Sequence, residues 1–315
     1  MKKVKGLFLT LLVLTALSSC NSNDDVADIA IDGITITDDV DCCSAEEALQ
    51  VYNFLQTVKI IPELSTVVDG KYNVFAYSQT GTFHTGYNEI YFVATKKSSG
   101  NYIKNFEITS LTPLMLMTKM QMQHSTPAGS SVESFNDSYL AVKRGWVSFV
   151  MNSSEMGSWT LSYDVAVLGA YGGIEATDIT VSALPDGQQW LKSFKVGDEV
   201  FYLSLVTPSD WETGTNTITA YLSKKGDIAT QPFPLATEEF IIDIDPRMPD
   251  MGNHTSPDNI PLTRTLSGAY QGTVNLTMTG LWRIHLTVRD KQGNIIAGGD
   301  DLSDGYSSLY WDVTI

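Results

Sequence analysis

The chain is written twice. Thr85-Gly86-Tyr87-Asn88 returns as Thr213-Gly214-Thr215-Asn216, and Lys96-Lys97 as Lys224-Lys225, both at an offset of 128 (85 to 213, 96 to 224). Further on, Thr112-Pro113-Leu114-Met115 corresponds to Asp245-Pro246-Arg247-Met248, and His124-Ser125-Thr126-Pro127 to His254-Thr255-Ser256-Pro257. Gly157-Ser158-Trp159 corresponds to Gly280-Leu281-Trp282, the shorter offset reflecting the extra Asn152-Ser153-Ser154-Glu155 in the first copy, and Asp178-Ile179-Thr180-Val181 corresponds to Asp312-Val313-Thr314-Ile315. A period of about 125 residues is too long for a solenoid unit and normal for a domain. The body is therefore expected to form two units, over residues 56–184 and 185–315.

Within each copy the pattern is that of strands. Asn88 to Ala94 and Asn216 to Leu222 are short β-rich runs closed by paired lysines, a common way to end a strand in solvent. From Trp282 to Val288 apolar and polar residues alternate, so Trp282, Ile284, Leu286 and Val288 share one face and Arg283, His285 and Thr287 the other. Strands at this spacing without helices between them predict an all-β chain, two tandem immunoglobulin-like β-sandwich domains. The exception is Ala45 to Leu55, where Leu49, Tyr52 and Leu55 predict one face of a short helix leading into the first unit.

The first residues carry an address. Lys2, Lys3 and Lys5 precede an apolar run from Leu7 to Leu17, too short to span a bilayer and flanked like a secretory signal. Leu17-Ser18-Ser19-Cys20 looks like a bacterial lipobox, so residues 1–19 read as a lipoprotein signal peptide and Cys20 as the lipidated residue that anchors the chain. Residues 20–55 then read as an acidic tether ending in the short helix. The expected location is extracytoplasmic, at the bacterial outer membrane, with the acids after Cys20 resembling a surface-export signal. The chain carries 20 Lys and Arg against 36 Asp and Glu, a net charge of −16, which excludes a nucleic-acid surface because phosphate contacts need clustered bases. Partners expected instead are the membrane through its lipid, a copper ion and an envelope protein.

Four segments of the second copy stand in a set order: Gly214-Thr215-Asn216, then Met248-Pro249-Asp250-Met251-Gly252-Asn253-His254, then Gly268-Ala269-Tyr270-Gln271-Gly272, then Met278-Thr279-Gly280-Leu281-Trp282. In this the second copy resembles the YtkA-like domain family, related to FixH-like proteins. The first copy shows a degenerate version, with Met120-Gln121-Met122-Gln123-His124 and Gly157-Ser158-Trp159. The resemblance implies a tandem YtkA-like lipoprotein, an extracytoplasmic β-sandwich binding module of a family suspected of copper handling.

The side chains themselves point to the same chemistry. Met115, Met117, Met120 and Met122 precede His124, and Met248 and Met251 precede His254. Thioether sulfur is a soft ligand that favours Cu(I), and imidazole suits copper in general. If residues 120–124 are extended, Met120, Met122 and His124 lie on one face, whereas Met248, Met251 and His254 recur every three residues, as in a 3₁₀ turn. Met151 and Met278 are further candidates. The competing reading makes these methionines core fillers, in which case the chain is a surface scaffold or a glycan- or protein-binding lipoprotein. Trp190 and Trp211, unrepeated and beside turn residues, are then the binding candidates, while the repeated Trp159 and Trp282 read as core. His84 and His285, also unrepeated, read as surface residues. Cys42 and Cys43 are adjacent and form a candidate soft-metal or redox pair, and Asp300, Asp301 and Asp304 read as a turn. No nucleophile elbow, zinc-protease motif, phosphate-binding loop or Cys-x-x-Cys is present, so no enzyme activity is expected.

Overall fold

The computed structural model describes residues 29–31, 34–36, 45–135, 141–185, 187–299, 307 and 309–315. The readings placed on residues 1–19, Cys20, Cys42, Cys43 and the loop at Asp300, Asp301 and Asp304 lie outside them.

The described chain is all-β apart from the helix Ala45–Leu55 and two 3₁₀ turns. In the first half, one sheet orders the strands Met122–His124, Phe106–Met117, Gly157–Val167 and Ala170–Ile179. A second sheet orders Glu133–Ser134, Val142–Phe149, Gly86–Lys96, Tyr72–Ser78 and Lys59–Ile60. Alternate residues of both sheets meet in one core, among them Val74, Ile90, Phe92 and Phe149 from the second and Trp159, Leu161, Tyr163 and Val165 from the first. The one polar group that Tyr163 brings inside is satisfied, its hydroxyl donating to the Leu64 carbonyl at 2.6 Å.

The helix forms over the predicted span, but its buried residues are Ala48 and Val51, and Leu49 is exposed. The face turned to the protein is set by what it covers. Ala48 and Val51 close a second small core with Tyr91, Val93, Tyr102 and Val142 on the outer side of the 86–96 strand. That strand is therefore buried on both faces, which accounts for the unbroken apolar run Ile90-Tyr91-Phe92-Val93-Ala94 where a one-sided strand would alternate. Upstream of the helix, in the stretch read as an acidic tether, Ile29–Ile31 pairs antiparallel with Ile34–Ile36.

In the second half the hydrogen-bonded strands form a continuous ladder from Leu191–Val196 through Glu199–Thr207, Gly214–Lys224, Tyr270–Leu276, Ile260–Arg264, Ile241–Met248 and Leu281–Arg289. The 260–264 strand pairs with both the 270–276 and the 241–248 strands and so joins the two faces. A separate core runs from Phe194 to Val313, with Trp282, Trp311, Tyr270 and Phe201 its largest buried members.

The internal repeat is reproduced atom by atom. Asn88 donates to the carbonyls of His84 (2.7 Å) and Gly86 (2.8 Å) and accepts from the His84 amide at 3.0 Å. Asn216 donates to the carbonyls of Glu212 (2.7 Å) and Gly214 (3.1 Å) and accepts from the Glu212 amide at 3.0 Å. Trp159 lies opposite Ile179 and Thr160 opposite Asp178, just as Trp282 lies opposite Val313 and Arg283 opposite Asp312.

Candidate functional site

Each Met/His segment forms a small hairpin at the same place in its sheet. In the first, residues 118–121 form a turn, and the returning strand pairs Met122 with Met117 and His124 with Met115. In the second, Met248 pairs with His254 across the 3₁₀ turn Pro249–Met251, which ends in the left-handed Gly252 (φ 64°). Directly opposed residues on antiparallel strands point to the same side of the sheet. His124 therefore shares a side with Met115, Met117 and Met122, and His254 with Met248.

Behind each hairpin stands a buried tryptophan. Trp159 donates its indole N–H to the Met151 carbonyl, and Trp282 to the Met278 carbonyl, both at 2.9 Å. The His124 ring meets Trp159 edge-on at 5.6 Å, and the His254 ring lies 6.3 Å from Trp282. The inner methionines, Met115 and Met248, are core members pressed against a glycine of the next strand. A Cβ on Gly157 would stand 2.7 Å from Met115 Sδ, and one on Gly280 would stand 2.8 Å from Met248 Cε.

The outer methionines behave differently. Met120, Met122, Met156 and Met251 are all more than half exposed, and among the described residues they are the exposed methionines. Three belong to the hairpins, Met120 and Met251 in the two turns and Met122 on the returning strand; Met156 lies in the turn before the 157–167 strand, where its carbonyl accepts the Thr118 amide of the first turn at 3.0 Å. Met120 is thus not on an extended strand with Met122 and His124, as the spacing of two suggested. The turn is needed to reverse the chain after Met117. Its place opposite Met122 is taken by Met117 itself, a partner that the run of four methionines contained but did not single out.

His124 Nδ1 lies 2.9 Å from the Ser125 carbonyl oxygen. A carbonyl only accepts, so Nδ1 carries the proton and the lone pair of the neutral ring is on Nε2, the arrangement that orients imidazole for a metal. His84 and His285, read from the sequence as surface residues, are half-buried and held the same way, by the Thr85 carbonyl at 2.8 Å and the Ser307 carbonyl at 2.6 Å. Among the described residues no three or more His, Cys, Asp and Glu side chains gather to hold a metal.

The first hairpin runs directly into the junction between the two cores. The Ser125 amide donates to the Ala229 carbonyl at 2.6 Å, and the Phe233 amide to the Thr126 carbonyl at 3.1 Å. Nearby, Trp146 packs on Tyr221 at 4.7 Å, and Tyr87 meets Tyr221 edge-on at 5.7 Å. Burial, reinforced by the Glu89 carboxylate, raises the Tyr87 hydroxyl far above the ordinary tyrosine range. Of the two tryptophans singled out by position, Trp211 packs on the second core, while Trp190 also lines a cleft between the halves.

No protein-family model matches the chain, and no curated protein is significantly similar to it.

Proposed function

We propose that the chain is a lipid-anchored extracytoplasmic binding module, two tandem immunoglobulin-like units of the YtkA-like kind, that captures copper(I) at its Met–His hairpins. One observation carries the reading: three of the four exposed methionines among the described residues, Met120, Met122 and Met251, stand on the two hairpins that also bear His124 and His254. A methionine used for packing is buried, as Met115 and Met248 are. Leaving one in water forgoes about 1.5–3 kcal/mol of burial, so three exposed on the hairpins that carry two imidazoles is not what core filling produces.

Soft thioethers select Cu(I), and one imidazole per hairpin supplies a nitrogen donor. In the first unit the donors are Met120, Met122 and His124, with Met117 opposite Met122. In the second they are Met251 and His254, with Met248 the least accessible member of its set. The acidic surface draws cations toward the protein without choosing among them. On this reading the module is a binder and carrier, not a catalyst, tethered through Cys20 at the envelope, where a protein partner delivers or receives the ion.

The test is an anaerobic Cu(I) titration against a competing chelator, using residues 44–315. This span keeps the helix and all three cores and lacks every cysteine. The reading requires two competitive sites per chain, each weakened at least tenfold in the volume-conserving Met122→Leu/Met251→Leu variant. Failure of the wild-type chain to compete for Cu(I) overturns it.

A further inference from the structure

A cleft of about 410 Å³ opens where the two halves meet, within the range of ordinary small-molecule sites. Phe54 of the helix, Tyr87 and Tyr91 wall it on one side, and Trp190 and Leu205 on the other. The Trp190 ring is fixed before any ligand arrives, because its indole N–H donates to the Asp312 carbonyl at 2.9 Å. Such preorganisation lowers the ordering cost of binding.

The polar lining has a definite character. Glu89 is the cleft's carboxylate. Its Oε1 accepts from the Tyr87 hydroxyl at 3.0 Å and from Arg144 Nη1 at 3.4 Å, and its Oε2 accepts from the Tyr91 hydroxyl. The group is thereby pinned and its charge offset; Oε1 has both acceptor positions taken, and Oε2 keeps one for a ligand. Apart from the His84 imidazole, whose Nδ1 is held by the Thr85 carbonyl at 2.8 Å, the remaining polar groups are hydroxyls and amides, among them the side chains of Ser78, Gln79, Thr80, Thr82, Thr207 and Ser209. No Lys or Arg is among the described lining residues, and the neighbouring Arg144 guanidinium is turned to Glu89, so a phosphate or carboxylate ligand finds no fixed cation in the lining. An apolar ligand would strand the hydroxyls and the carboxylate.

Aromatic faces for C–H surfaces, neutral hydroxyl and amide groups, and one pinned acceptor together match one ligand chemistry. We propose that this cleft binds a neutral saccharide of one or two rings, with Trp190 as the stacking platform and Glu89 Oε2 accepting from a sugar hydroxyl. The site is separate from the Met–His hairpins and does not depend on them.

The test is calorimetric titration of the full-length chain, held in a detergent without a sugar headgroup. The probes are cellobiose, maltose, lactose and diacetylchitobiose, each to about 10 mM, a range that reaches weak millimolar affinities. Tetramethylammonium is the control for an aromatic cage that takes a cation. At least one disaccharide binds saturably, and Trp190→Ala weakens it about tenfold. Because Trp190 also packs on the second core, Ser209→Trp serves as a second variant: Ser209 is exposed, so the new ring fills the cleft without entering either core, and binding is lost while the melting temperature holds. The proposal is overturned if none of the four sugars binds, if binding survives Ser209→Trp, or if only tetramethylammonium binds.

Discussion

Replacing Asn88 or Asn216 by alanine should damage the two halves equally. Each asparagine is almost fully buried, 6% and 7% exposed, and each closes the entry to its strand with three hydrogen bonds to backbone groups. Asn216→Ala leaves the Glu212 amide, the Glu212 carbonyl and the Gly214 carbonyl without that partner. Asn88→Ala does the same to the His84 amide and the His84 and Gly86 carbonyls. At about 0.5–1.5 kcal/mol per net hydrogen bond, the three together are worth about 2–4 kcal/mol, with any residual burial of the orphaned groups adding to the loss. Asn→Asp is at least as harmful, because it turns an NH₂ that donates to two carbonyls into an oxygen that faces them. The assay is urea unfolding of residues 44–315, followed by tryptophan fluorescence. With a slope of about 1–3 kcal/mol per molar urea, each alanine variant lowers the midpoint of its own half by about 1–2 M. If either variant moves its midpoint by less than about 0.3 M, or if the two differ severalfold, the duplicated hydrogen-bond plug is not the structural unit described here.

Other consequences follow from the same packing. Gly280→Ala should cost about 1–3 kcal/mol in thermal or urea unfolding, since Gly280 has φ +130° and its Cβ would meet Met248 Cε at 2.8 Å. Gly157→Ala should cost less, because its φ is ordinary and only the close contacts, Met115 Sδ at 2.7 Å and the Leu116 carbonyl oxygen at 3.1 Å, oppose the new Cβ. Tyr221→Ala removes both aromatic contacts that bridge the halves, and calorimetry should then resolve two transitions where the wild type shows stronger coupling. Alkaline pH should unfold the chain: burial raises the hydroxyls of Tyr87, Tyr91, Tyr102 and Tyr163 above their ordinary value. Above about pH 10 the unfolded chain sheds those protons while the folded chain keeps them, so stability falls as pH rises. Tyrosinate absorbance should appear together with the loss of fold; a smooth titration in the folded state would contradict the burial.

Much of the architecture was legible because it depends on local pattern or on self-similarity. The helix falls on its predicted residues, Trp159 and Trp282 are core, and the 3₁₀ turn at Pro249–Met251 follows from methionines three apart. The matched motifs of the two copies occupy matched registers. What local pattern could not supply was which layer covers which face. Leu49 reads as core-facing from its spacing, yet the helix docks through Ala48 and Val51, and the unbroken run Ile90 to Ala94 is compatible with burial on both faces without naming the element that covers the outer one. The candidate sites divide in the same way. The Met–His hairpins were visible as clusters, but the turn after Met117 decides which thioethers face His124, and a spacing of two misplaced Met120. The cleft at Trp190 was beyond reach, because it joins residues from Phe54 to Ser209 that meet only when the two halves pack. Position alone marked Trp190, and it marked Trp211 equally.

The central claim is that thioether sulfur and imidazole at the hairpins bind Cu(I), and the most direct measurement is copper X-ray absorption on residues 44–315 loaded anaerobically with two Cu(I) per chain. The account predicts sulfur scatterers together with nitrogen in the first coordination shell, in a span that contains no cysteine. It also predicts loss of sulfur from that shell in Met122→Leu/Met251→Leu, and loss of nitrogen in His124→Ala/His254→Ala. A shell of nitrogen and oxygen alone, or one unchanged by both double variants, would contradict it.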